Sequence, residues 1–222
     1  MTTFVRRLGW GLMAFLAIGI AIVFAGPYFL FNPALSRVVL NPAIPIHFVV
    51  LAFHATAAGI ALLIGPFQFL TSLRVKYPLV HRMIGRIYLI SILIGSVFAF
   101  FSALLSPSPM TNKIGFACLA IIWFYSAFRA YSAIRQGQIH LHRVWVIRNY
   151  ALTFAAVILR LWMGLGIFVL HLPYSDVYTT ASWVSWILPL IFAEWFINQR
   201  LMQSLAGKKD RMTHRQQVID VA

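Results

Sequence analysis

Two short stretches, RVKYPLVHRMIGR (Arg74 to Arg86) and RQGQIHLHRVWVIR (Arg135 to Arg148), carry the most pointed chemistry in the chain. Each opens on an arginine and reaches a His-Arg pair seven residues later, His81-Arg82 and His142-Arg143, at the edge of a long apolar run. The offset is sixty-one residues at Arg74/Arg135, His81/His142 and Arg82/Arg143 alike. Two imidazoles entering a helical bundle from opposite helices at one depth can supply both axial ligands of a haem iron. Arg82, Arg86, Arg143 and Arg148 would then stand where haem propionates meet the interface. A ligand histidine also needs an acceptor for its second ring nitrogen, and Tyr88, Asn149 and backbone carbonyls are available. The same His-Arg pairs serve equally as anchors that snorkel to lipid phosphates with no cofactor. His140 stands close enough to replace His142.

A second set lies deeper. Arg160 and Glu194 are the only charged residues far inside apolar runs. At 1.5 Å per residue Arg160 is ~16 Å from the outer end of its run, and Glu194 is ~18 Å from Ser182. A short loop, Leu172 to Ala181, makes their helices neighbours, so an Arg160–Glu194 ion pair is expected, as a staple or as part of a site. His54 is ~10 Å inside the outer boundary on the same reckoning. With Arg160, Glu194 and His171 it is expected to border a polar pocket suited to a quinone head, an anion or a proton path. Asn149, Thr153, Arg160 and His171 share one helix face, which must turn to the bundle. His47, His54, Ala58, Ala61, Gly65 and Gln68 share another, whose small residues allow close helix approach or leave room for a flat ring.

These residues need elements to hold them. The 222 residues are 61% hydrophobic and 10% charged, with mean hydropathy +0.85, outside the range of soluble domains. Six runs are long enough to span a bilayer: Leu8 to Phe31, His47 to Leu70, Ile84 to Leu105, Ile114 to Ile134, Val144 to Leu170 and Ser182 to Asn198. The predicted fold is therefore all-α, a single six-span membrane domain over 1–205 with a flexible polar tail over 206–222 that holds a solvated His214. Pro66 and Pro189 interrupt two runs, which spans tolerate. Arg6 and Arg7 ahead of the first run imitate a secretory signal, but that run is too long for one.

Net charge +14 invites a nucleic-acid reading that position refutes. Fifteen of the eighteen Lys and Arg fall on one side of the six runs, which puts both termini in the cytoplasm of an inner-membrane protein. Anionic lipid of the inner leaflet is the expected partner of those charges. Cys118 is the single cysteine, so no disulfide forms within the chain. No Ser-His-Asp arrangement, Gly-rich phosphate loop or carboxylate cluster marks a catalytic residue.

The two His-Arg stretches join runs two to three and four to five. They read as parallel repeats about an axis along the membrane normal, with runs two to five as a four-helix bundle. GPFQFLTSLRVKYPLVHRMIGRIYL and HRVWVIRNYALTFAAVILRLW resemble a bacterial family of predicted multi-pass membrane proteins of unknown function. The resemblance rests on His54, Gly65 to Phe69, His81-Arg82, Gly85-Arg86, His142-Arg143, Trp145, Arg148 and Arg160, and covers runs two to six. It implies topology and no activity. A looser likeness, to membrane b-type cytochromes with bis-histidine haem, implies one haem between runs three and five, because run four has no histidine. Three functions follow as expectations. One is electron transfer through haem b on His81 and His142, with a quinone or another redox partner. Another is cofactor-free transport or binding of a small molecule or proton at His54, Arg160 and Glu194. The third is a structural or assembly role in the bilayer.

Overall fold

Apolar runs of this length become helices because a bilayer leaves each backbone N–H and C=O to be satisfied within its own segment. The computed structural model describes the backbone of residues 3–220 and, apart from Thr3 and Arg6, the side chains of residues 4–202. The described chain is helical, without a strand. Six segments are long and apolar enough to cross a membrane: Arg7–Leu30, Ile46–Phe69, Pro78–Leu105, Met110–Arg135, Ile139–Val169 and Tyr174–Met202.

The first span is α1 (Thr3–Ile20) continued by a π turn, Ala21–Ala25, and a 3-10 turn, Gly26–Leu30. The second is α2 (Ile46–Ile64) with a 3-10 turn at Gly65–Phe69. A short α3 (Thr71–Lys76) precedes α4 (Pro78–Leu105) and α5 (Met110–Arg135), the third and fourth spans. The fifth is α6 (Ile139–Thr153) and α7 (Ala155–Gly164), ending in a π turn at Leu165–Val169, and α8 (Tyr174–Asp220) holds the sixth. The expected tail, 206–222 with His214, lies outside the residues whose side chains are described.

Four spans start a turn or more ahead of their apolar runs: at Pro78 instead of Ile84, at Met110 instead of Ile114, at Ile139 instead of Val144, and at Tyr174 instead of Ser182. Their first turns are mixed polar and apolar, which hydropathy scores as connection although the backbone is already helical. Pro78 suits a first helical position, where a missing N–H breaks no bond. The His-Arg pairs therefore sit inside helices and not ahead of them. Between α5 and α6 the chain turns at Gly137, whose φ of +71° a side chain would resist. Pro66 lies in the 3-10 turn that ends the second span, and its carbonyl accepts a bond from Trp10 Nε1 at 3.0 Å, tying α1 to that turn. Pro189 is carried within α8.

Helices α2, α4, α5 and α6 pack as successive neighbours, and α8 closes on α5, α6 and α7, with α1 against α2 and α7. The expected four-helix bundle of spans two to five is thus present. Its centre is aromatic, with Tyr88, Trp123, Tyr150 and Trp186 around Ala61, Ala127 and Ala155. Small residues let the backbones approach. A Cβ on Gly65 would stand 2.2 Å from Tyr150 Cε2, and one on Gly59 would stand 2.5 Å from the Ala25 Cβ. Phe15, Ile90 and Phe192 point outward, as lipid-facing side chains do.

Candidate functional site

The bundle is not filled to its full height. In the half away from the cationic connections, a cavity of about 200 Å³ opens among α2, α5, α7, α8 and the π turn of the first span. His54 and Arg160 both line it, together with Phe24, Tyr28, Trp123, Thr153, Tyr178 and Ser185. The π turn matters here, since it places Phe24 against Arg160, with the guanidinium carbon 5.1 Å from the ring centre. Arg160 lies nine residues, or ~14 Å, inside Val169. Among the described residues its one hydrogen bond runs from Nη1 to the Ala156 carbonyl at 3.3 Å, and it makes no ion pair.

His54 is oriented by the Gly95 carbonyl, 2.9 Å from Nδ1. A carbonyl only accepts, so Nδ1 carries the proton and Nε2 is left for another partner. The ring stands edge-on to Trp123, centres 6.4 Å apart. Ser185 is 1% exposed, and its Oγ has no partner among the described residues. His47 serves differently. Its Nδ1 accepts from Asn41 N at 3.1 Å and its Nε2 faces Ser102 Oγ at 3.4 Å. Asn41 also donates to the Leu105 carbonyl at 3.0 Å, and Tyr28 OH accepts from Arg37 N at 2.9 Å. Together these fix the connection between the first two spans across this end of the bundle.

The cavity ends on a buried polar network. Trp123 Nε1 donates to Thr153 Oγ1 at 2.9 Å, and Thr153 donates to the Asn149 carbonyl. Tyr88 OH donates to Asn149 Oδ1 at 2.7 Å, and Asn149 Nδ2 reaches Ser126 Oγ at 2.8 Å. Every hydroxyl and amide here has a partner, so the group works as a floor that separates the cavity from the cationic half of the bundle.

Two expected members of the pocket are elsewhere. Glu194 pairs with Arg148 and not with Arg160: Arg148 Nε is 2.5 Å from Oε1 and Nη2 is 2.9 Å from Oε2, while Trp145 underlies the guanidinium at 4.7 Å. The reason is helix length. Because α8 begins at Tyr174, Glu194 is twenty residues, or ~30 Å, from that end and level with Arg148 near the cationic face. His171 is exposed in the turn before α8, with φ 53° and Nδ1 facing the Val169 carbonyl at 3.1 Å. Of the polar stripe on the fifth span, Asn149, Thr153 and Arg160 face the interior and His171 does not. Phe24, Tyr28, Tyr178 and Ser185 were not legible as site residues. Ser182 and Ser185, spaced one turn apart and both buried, were the available signal.

His81 and His142 stand at the cationic end of α4 and α6. Tyr88 and Asn149, which touch at the bundle centre, are also sixty-one residues apart. Seven residues nearer the cationic face, two helical turns, come the two histidines in matching register. His142 Nδ1 is 2.8 Å from the Ala130 carbonyl, and His81 Nδ1 is buried without a partner among the described residues. Arg82, Arg86 and Arg143 are exposed around them, whereas Arg148 is engaged by Glu194. No group of three or more His, Cys, Asp or Glu able to hold a metal ion occurs among the described residues.

Fold and site together define a six-span helical membrane protein with a largely apolar cavity, holding Arg160 and His54, in one half of its bundle. A family described as predicted membrane protein, DUF2306, matches over residues 51–197, and the chain belongs to it. The matched segment holds His54, Arg160, Ser185 and the whole floor of the cavity. No match to the chain exists among the curated proteins or among the solved structures.

Proposed function

We propose that the protein binds a small molecule from the outer side of the membrane, in the cavity bordered by Arg160 and His54, as a transporter or binding protein without a cofactor. The cationic connections lie in the cytoplasm under this reading, so the cavity opens away from it. One observation carries the proposal. A space lined by the membrane-embedded Arg160 and His54 is closed at one end by the Tyr88–Asn149–Thr153–Trp123 network. A cavity that carries ionisable groups and opens to one side is what a membrane binding site requires, since such groups at this depth otherwise turn to a partner. The test is Ser185→Cys in a Cys118→Ser background, treated with a membrane-impermeant thiol reagent on sealed vesicles of known orientation. Labelling from the outer side alone supports the reading. Labelling from the cytoplasmic side, or none, removes it.

A second reading rests on His142, whose Nδ1 faces the Ala130 carbonyl and leaves Nε2 directed elsewhere, as ligand histidines are held. On this reading His81 and His142 would hold the haem and Arg82, Arg86 and Arg143 would meet its propionates, since Arg148 is engaged by Glu194. Such a haem would supply one-electron transfer, with a quinone or another redox partner. A reduced-minus-oxidised spectrum of protein expressed with haem supply decides it. A low-spin α-band lost in His81→Ala and His142→Ala supports haem, and a colourless folded protein rejects it.

A further inference from the structure

We infer that the cavity recognises a small monoanion with a planar apolar body, the class of aromatic monocarboxylates, through Arg160. This rests on the binding reading above and adds the identity of the ligand's charge and shape.

The charge follows from counting acids. The chain has four Asp and Glu. Glu194 is bound to Arg148, and Asp176 is exposed at the far end of α8 with Ser175 Oγ on its Oδ1 at 3.1 Å. The remaining two, Asp210 and Asp220, lie beyond the last span. Arg160 keeps its charge in any protein environment and presents five N–H donors, of which one meets a protein acceptor. A cation ~14 Å inside a span, with no carboxylate in contact among the described residues, calls for a mobile counter-charge. One unmatched cation balances one negative charge and not two.

The shape follows from the walls. Phe24 and Trp123 flank the site, and Leu51, Leu62 and Ala155 complete an apolar lining. A cavity of about 150 Å³ takes a benzene ring, so about 200 Å³ accommodates one ring with a carboxylate. Ser185 Oγ, nine-tenths buried and more, has an unfilled hydrogen bond for a ligand oxygen. His54 Nε2 offers a further one.

The experiment is equilibrium dialysis of radiolabelled benzoate against the full-length protein in phosphatidylcholine nanodiscs, with benzamide as neutral isostere and phthalate as dianion. The expected result is saturable benzoate binding at one site, with benzamide and phthalate each weaker by roughly tenfold or more, as loss or excess of a buried charge requires. Arg160→Gln abolishes the preference for benzoate over benzamide, and Arg160→Lys retains part of it. Ser185→Leu, which fills the cavity and leaves Arg160 in place, blocks both ligands and covers the case in which Arg160→Gln does not fold. Equal binding of benzoate and benzamide, or benzoate affinity unchanged in Arg160→Gln, overturns charge recognition and leaves the cavity standing. No saturable benzoate binding while Ser185→Cys is labelled from outside also overturns the ligand class alone. Absence of both binding and labelling brings down the binding reading with it.

Discussion

Tyr88→Phe removes one oxygen atom from the bundle centre, and its cost can be worked out from the partners left behind. The hydroxyl donates to Asn149 Oδ1 at 2.7 Å and lies 3.2 Å from Thr153 Oγ1. Thr153 loses little, because it still accepts from Trp123 Nε1 and donates to the Asn149 carbonyl. Asn149 keeps both bonds of its Nδ2, to the Trp123 carbonyl and to Ser126 Oγ, but its Oδ1 is left with no donor at a position that is 0% exposed. An orphaned buried acceptor costs about 1–3 kcal/mol in soluble proteins. Interhelical hydrogen bonds in membranes average only ~0.6 and reach ~1.7 kcal/mol, because the unfolded chain in the bilayer also finds partners. Full enclosure of Asn149 puts Tyr88→Phe near the upper end, about 1.5 kcal/mol, or roughly tenfold in the folding equilibrium. Reversible unfolding in mixed micelles with graded denaturing detergent measures it. Thr153→Val, which orphans Trp123 Nε1, should cost a similar amount in the same assay. A Tyr88→Phe protein as stable as the parent would show that the network is not the closed floor described here.

The remaining expectations concern the ion pair, the close helix contact and the exposed histidine. A double-mutant cycle of Arg148→Gln and Glu194→Gln should give a coupling of about 1 kcal/mol, modest because both groups are partly exposed. The cycle of Arg160→Gln with Glu194→Gln should give none, and a coupling there would contradict the observed pairing. Gly65→Ala drives a Cβ into Tyr150 and should destabilise by about 1–3 kcal/mol in the same unfolding assay; tolerance would mean that the turn after α2 and α6 are further apart. His171→Ala should leave both stability and benzoate binding unchanged, since the ring is exposed and outside the cavity. A loss of binding in that variant would place His171 in the site.

Much of the architecture is readable from hydropathy alone, because a bilayer permits little besides helices where runs are this long. Span ends are less readable. Polar first turns such as LVHR after Pro78 and SDVYTTA after Tyr174 are helical, yet they do not score as apolar. That shortfall of eight residues at α8 is what misassigned Glu194 to Arg160, since it moved the carboxylate up the helix by ~12 Å. The facing of His54, Arg160, Asn149 and Thr153 follows from helical periodicity and is found as expected. The cavity wall contributed by Phe24 could not be anticipated, because it depends on a π turn within an unbroken apolar run. Ser185 was invisible for another reason: its significance lies in a missing partner, and partners across helices are not encoded in spacing. The sixty-one-residue offset proved informative beyond the stretches that first displayed it, since it also relates Tyr88 to Asn149.

Binding at Arg160 and His54 requires that the space beside them open to one side of the membrane. Thiol labelling of Ser185→Cys in sealed, oriented vesicles reads that directly. Such an opening gives modification by an impermeant reagent from the side opposite the cationic connections, slowed when benzoate is present. Modification from the cationic side, or a thiol that stays unmodified in folded protein, would contradict it.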